Sequence, residues 1–138
     1  MKPHIAITIE ELKSIEARSK RDRLEDLFIK YFQELKPDGV PLPERQYKLL
    51  QGRKFRWDFA WPDDTVRLAI EIQGGSYMAG RHNTAKGQAA DYEKHNLATL
   101  AGYRILYFNT EMLKDPASCA ETVIDMIARI GEEGRHVS

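Results

Sequence analysis

The chain has 138 residues, enough for one domain with a real core. Its 21 basic and 21 acidic side chains cancel, which argues against a protein that coats nucleic acid without specificity. No apolar run approaches the roughly 20 residues needed to cross a bilayer, and Thr8 with Glu10 and Glu11 interrupts any signal-peptide pattern at the N-terminus. The single cysteine, Cys119, has no internal disulfide partner, so the simplest expectation is a cytoplasmic chain.

The charge is unevenly placed. Arg45, Lys48, Arg53, Lys54 and Arg56 fall in one short stretch without an acid, whereas acids dominate beyond Thr110. A neutral total therefore leaves room for a local basic surface, which is what a phosphate backbone meets.

Thr8 with Glu11 three residues on predicts a helix start by a capping box. A second start is expected at Ser19, followed by Leu24, Leu27, Phe28, Tyr31, Phe32 and Leu35 at helical spacing and a stop at Pro37-Asp38-Gly39. Arg45 to Leu50 reads as a first strand, with a turn at Gln51-Gly52-Arg53. Phe55 to Trp61 and Val66 to Gln73 read as the second and third, joined across Pro62-Asp63-Asp64. Residues 74–87 are expected to be a polar loop, and Gln88 to Ala101 a helix stopped by Gly102. Tyr103 to Phe108 reads as a buried strand. A last helix opens at Thr110 or at Asp115-Pro116, carries Cys119 as a small buried residue, and gives way to a frayed tail over 131–138. One domain spans 1–138, its core about 19–130, in the order αβββαβα: a mixed four-stranded sheet flanked by helices.

The second and third strands hold the chemistry. Strand alternation puts Phe55, Trp57, Phe59 and Trp61 on one face, and Arg56, Asp58 and Ala60 on the other. In the third strand, Leu68, Ile70 and Ile72 oppose Ala69, Glu71 and Gln73. Pairing these strands could bring Asp58, Glu71 and Gln73 to one surface. Two adjacent carboxylates repel unless a cation lies between them, which is the chemistry of a Mg²⁺ site acting on phosphate. Zinc-ligand spacing is absent, since His82 and His95 have no cysteine nearby.

Asp58, then Glu71-Ile72-Gln73, then a helix and Gly102-Tyr103-Arg104-Ile105-Leu106-Tyr107-Phe108, resembles the PD-(D/E)XK nuclease superfamily. The likeness is greatest to its very-short-patch-repair-endonuclease-like branch, whose core Holliday-junction-resolvase-like enzymes share. It covers about Arg21 to Phe108, in element order more than in identity. It implies a restriction-endonuclease-like core and a Mg²⁺-dependent DNA endonuclease, with Mn²⁺ able to substitute. Asp58 and Glu71 would be metal ligands, joined by the Ile72 carbonyl and by Glu25 on the first long helix. Where the family carries a lysine this chain has Gln73, whose amide orients but brings no charge. Lys94 is the candidate for a lysine moved to the following helix, on one face with Asp91 and His95. Arg53, Lys54, Arg56, Arg81, His82 and Lys86 are candidates for contact with the DNA backbone.

Each residue has a plainer reading. Asp58 could pair with Arg56 or Arg67, Glu25 could form a surface ion pair, Gln73 could simply finish its strand, and Lys94 could pair with Asp91. Arg81 and His82 could belong to a solvated loop. A domain this small suits a structure-directed or nicking enzyme, acting on junction, flap or mismatch DNA in repair, recombination or phage DNA metabolism, with a homodimer for a two-strand cut. The rival is an inactive nuclease-fold module that binds DNA or protein. RNA cleavage shares the same metal chemistry.

Overall fold

The computed structural model describes residues 8–16, 20–73 and 84–136. The elements are α1 (Ile9–Glu16), α2 (Lys20–Leu35), β1 (Glu44–Tyr47), β2 (Trp57–Trp61), β3 (Leu68–Gln73), α3 (Ala85–Leu100), β4 (Arg104–Asn109) and α4 (Pro116–His136), with a 3₁₀ turn at Met112–Lys114. The fold is α/β: one open mixed sheet in the order β1-β2-β3-β4. The first three strands run antiparallel in sequence, and β3 pairs parallel with β4 across α3.

Local chemistry accounts for most boundaries. At α1 the Thr8 backbone N–H donates to Glu11 Oε2 at 3.0 Å and the Glu11 N–H donates to Thr8 Oγ1 at 3.1 Å, the reciprocal pair of a capping box. The start expected at Ser19 lies outside the described residues. α3 ends in a Schellman arrangement. Gly102 takes φ +88°, its N–H donates to the Thr99 carbonyl, and the Tyr103 N–H reaches back to Ala98.

Several boundaries differ from expectation. β1 stops at Tyr47 rather than Leu50, where Leu49 packs against the cluster of Trp57 and Ala98 beneath α3; Gln46, with φ +50°, breaks the register within the strand. β3 starts at Leu68 rather than Val66. The Asp63 carbonyl accepts the N–H groups of Val66 and Arg67 at 2.9 and 3.0 Å, winding that stretch into a turn. α3 begins at Ala85, inside the expected loop, since Thr84 Oγ1 caps it by accepting the Gly87 N–H at 3.0 Å. Lys86 is therefore an exposed first-turn helical residue. α4 opens at Pro116 with Asp115 Oδ1 accepting the Ser118 N–H, and it runs on to His136 in place of the expected tail. Helical spacing continues through Ile130, and Arg104 holds Glu133 in an ion pair.

The sheet is covered on both sides. Phe59, Trp61, Leu68, Ile70, Ile72 and Phe108 pack against Phe28 and Phe32 of α2 and Ala120 and Val123 of α4. The Phe28 and Phe59 rings lie 5.1 Å apart. On the opposite face Trp57, Ala60 and Ala69 pack against Ala98 of α3. That corrects the expected division of β2 into an apolar and a polar face. Ala60 is fully buried, and Trp57 lies across the sheet from Phe59 and Trp61. Three alanines leave room for the indole there, and strict alternation fails at the end of β2. β4 was expected to be buried, but it is an edge strand whose only fully buried side chain is Phe108. Cys119 is buried as expected, its thiol donating to the Met112 carbonyl. Among the described residues no helix is long and apolar enough to cross a membrane.

Candidate active site

β2 and β3 pair through Trp61↔Leu68, Ala60↔Ala69 and Phe59↔Ile70. Beyond Phe59 the side chain of Asp58 replaces a backbone partner: its Oδ2 accepts the Ile72 N–H at 2.6 Å. Asp58 is fully buried at the place where the two strands leave their ladder. A carboxylate that accepts a backbone N–H there is held in one orientation.

Glu71, on β3, comes within hydrogen-bonding reach of Asp58. Burial, and after it the hydrogen bond and charge of Asp58, pushes the Glu71 carboxyl up to about 8. Lys94 pulls the other way without prevailing. Its Nζ bonds Glu71 Oε2, so α3 delivers a cationic side chain directly to the acid pair. The same Nζ lies 4.4 Å from the centroid of the Trp57 ring, within cation–π range. Leu49, Leu50, Phe55, Leu97 and Ala98 wall the recess around it. The plain alternatives for these residues are met elsewhere. Arg56 donates to the Gln46 carbonyl at 3.3 Å, and Arg67 bonds Asp64 and the Ala101 carbonyl.

Glu25 is 1 % exposed, so any ion pair it makes is drawn in from the surface. It faces Arg45, whose Nη2 lies 3.5 Å from Oε1 and also bonds Asp26 at 3.0 Å. The link from Glu25 to Asp58 is the Gln46 side chain. Its Nε2 donates to Glu25 Oε1 at 3.1 Å and to Asp58 Oδ1 at 3.2 Å. Gln46 achieves this from a left-handed backbone, which costs a non-glycine residue roughly 1–2 kcal/mol. Sequence reasoning passed over Gln46, because a glutamine on a short exposed strand carries no signal of its own.

Gln73 ends β3, half-buried and opposite Asn109. His95 Nδ1 and the Tyr107 hydroxyl are 2.7 Å apart with stacked rings, and Tyr107 pairs in register with Glu71. Arg53 is ion-paired with Glu93 of α3 and lies 5.2 Å from the centroid of the Phe55 ring, while Lys54 is exposed. Arg81 and His82 lie outside the described residues. Among the described residues, no three acids, histidines or cysteines converge as a metal-holding cluster.

Comparison with protein-family models, curated proteins and solved structures finds no match to this chain.

Proposed function

We propose that the protein is a Mg²⁺-dependent DNA endonuclease built on a restriction-endonuclease-like core. One observation carries this reading: the fully buried Asp58 carboxyl and the largely buried Glu71 carboxyl lie against each other, with Lys94 brought onto Glu71 from α3. Two acids placed together away from water are costly unless something at the site uses them. Hard carboxylate oxygens suit Mg²⁺, which binds through one or two carboxylates and keeps several waters. Asp58 and Glu71 would hold the ion, with the Ile72 carbonyl beside them. The ion would supply positive charge against a phosphodiester and acidify water.

The remaining work falls to the chain. Glu71 would have to be ionised to hold such a cation. Lys94 brings the charge that Gln73 lacks, and Gln73 offers an amide to orient the attacking water. Water oxygen bonds to phosphorus and gives one proton to solvent, one P–O ester bond breaks, and the departing oxygen takes up a proton from solvent. Lys54 and Lys86 are exposed cations suited to the DNA backbone, with Arg53 and Arg56 nearby in sequence. A small domain of this kind fits a nicking or structure-directed role in repair, recombination or phage DNA metabolism, with a homodimer for two-strand cuts.

The test is cleavage of labelled duplex, junction, flap and single-stranded DNA, and of RNA, with Mg²⁺, Mn²⁺ or EDTA. Cutting is expected with either metal and lost in Asp58→Ala and Glu71→Ala. Lys94→Ala should lose about 10²–10³-fold in rate, the scale for removing a charge-stabilising group. DNA held tightly but left intact under both metals would instead establish a non-catalytic binding module, the reading that Gln73 favours.

A further inference from the structure

The amide of Gln46 has no place in the chemistry above, yet it joins two buried acids. Its Nε2 lies 3.1 and 3.4 Å from the Glu25 oxygens and 3.2 Å from Asp58 Oδ1. The other Asp58 oxygen is taken by the Ile72 N–H at 2.6 Å. Asp58 is thus oriented from both sides, by β3 through the backbone and by α2 through Gln46. Glu25 is itself held by Arg45, which bonds Asp26 of the same helix.

The backbone is bent to permit this contact. Gln46 has φ +50°, a conformation that glycine and asparagine accept far more readily than glutamine. Strain of this kind persists where the surroundings over-determine it, and here the side chain is tied at three oxygens while the carbonyl accepts Arg56.

We propose that Gln46 is a positioning residue: it ties Asp58 to Glu25, so Glu25 acts on the bound cation through Gln46 and Asp58 and not as a ligand. This rests on the metal-dependent reading above. Groups that orient a metal ligand from behind typically set affinity by about 10- to 100-fold. Glu25, Gln46 and Asp58 form one chain of contacts, so the effects of changing Glu25 and Gln46 should overlap rather than add.

The experiment is calorimetric titration of the full chain, freed of metal by chelation, with Mn²⁺ as probe. Gln46→Gly and Gln46→Asn both suit the left-handed backbone; the first removes the amide and the second shortens it by one methylene. Relief of backbone strain offsets part of the lost hydrogen bonding, so both are expected to stay folded, shown by an intact cooperative melt, and to bind Mn²⁺ about 10- to 100-fold more weakly. Glu25→Gln should weaken binding similarly, and the double variant Glu25→Gln with Gln46→Gly no further. Unchanged affinity in both Gln46 variants, with wild type binding, overturns this inference alone. Fully additive losses do so too, because they would make Glu25 an independent ligand. Wild-type protein that takes up no Mn²⁺ overturns both this inference and the nuclease reading.

Discussion

Glu71 faces two opposing influences, and their balance has a sign that can be measured. Burial and Asp58 raise its carboxyl to about 8, against an ordinary value of 4.5. The folded chain therefore binds this proton more readily than the unfolded chain does. The stability so gained is complete below about pH 4.5 and is lost as pH rises through about 8. The loss is of order a few kcal/mol, since one pH unit of displacement corresponds to about 1.4 kcal/mol. Metal-free protein should melt at progressively lower temperature from pH 5 to pH 9 in EDTA, and Glu71→Gln should flatten that slope. A slope equal in both proteins would count against the buried acid pair. Asp58 and Glu71 were legible in the sequence because an acid within an apolar strand calls for a partner. Gln46 was not, since its role depends on a backbone angle that no spacing rule reports.

α3 shows how an element can be read for its face and misread for its extent. Its apolar periodicity is weak and a glycine stands at position 87, so the pattern alone does not mark the start that Thr84 caps three residues earlier. The side that matters was nonetheless visible: Gly87 and Ala98 are both buried, and Lys94 lies one turn before Ala98. Small residues let the helix lie close to Ala60 and Ala69, which sets the reach of Lys94 to Glu71. Ala98→Leu should cost about 1–3 kcal/mol by overpacking. It should also lift Lys94 from Glu71, so cleavage falls further than denaturant melts alone would explain. Wild-type cleavage in a protein destabilised by that amount would separate α3 packing from the chemistry.

Across the whole molecule the two helical layers are unequal. α2 and α4 cover a face rich in phenylalanine, tryptophan and branched aliphatics, whereas α3 sets Ala98 against Trp57, Ala60 and Ala69. Apolar area removed from water drives folding, so the α3 side is the less firmly held. Hydrogen exchange of metal-free protein should show α3 amides exchanging before those of β2 and β3. Mg²⁺ should slow the α3 amides more than those of α4; equal slowing everywhere would point to global stabilisation in place of a site on this face. Element order and the mixed sheet could be anticipated from patterning alone. The assignment of Trp57 to the α3 side could not, because it depends on alanines brought together from three separate elements.

The left-handed turn at Gln46 also bears on how the molecule meets copies of itself. β1 is an edge strand, and an open edge offers unpaired N–H and carbonyl groups to any passing chain. Here the register with β2 runs through Glu44 and Arg45 and resumes only at Tyr47. An incoming strand meets a template four residues long with a break in it, where Arg56 already occupies the Gln46 carbonyl. The residue that steadies Asp58 thereby also blunts the sheet against edge-to-edge aggregation.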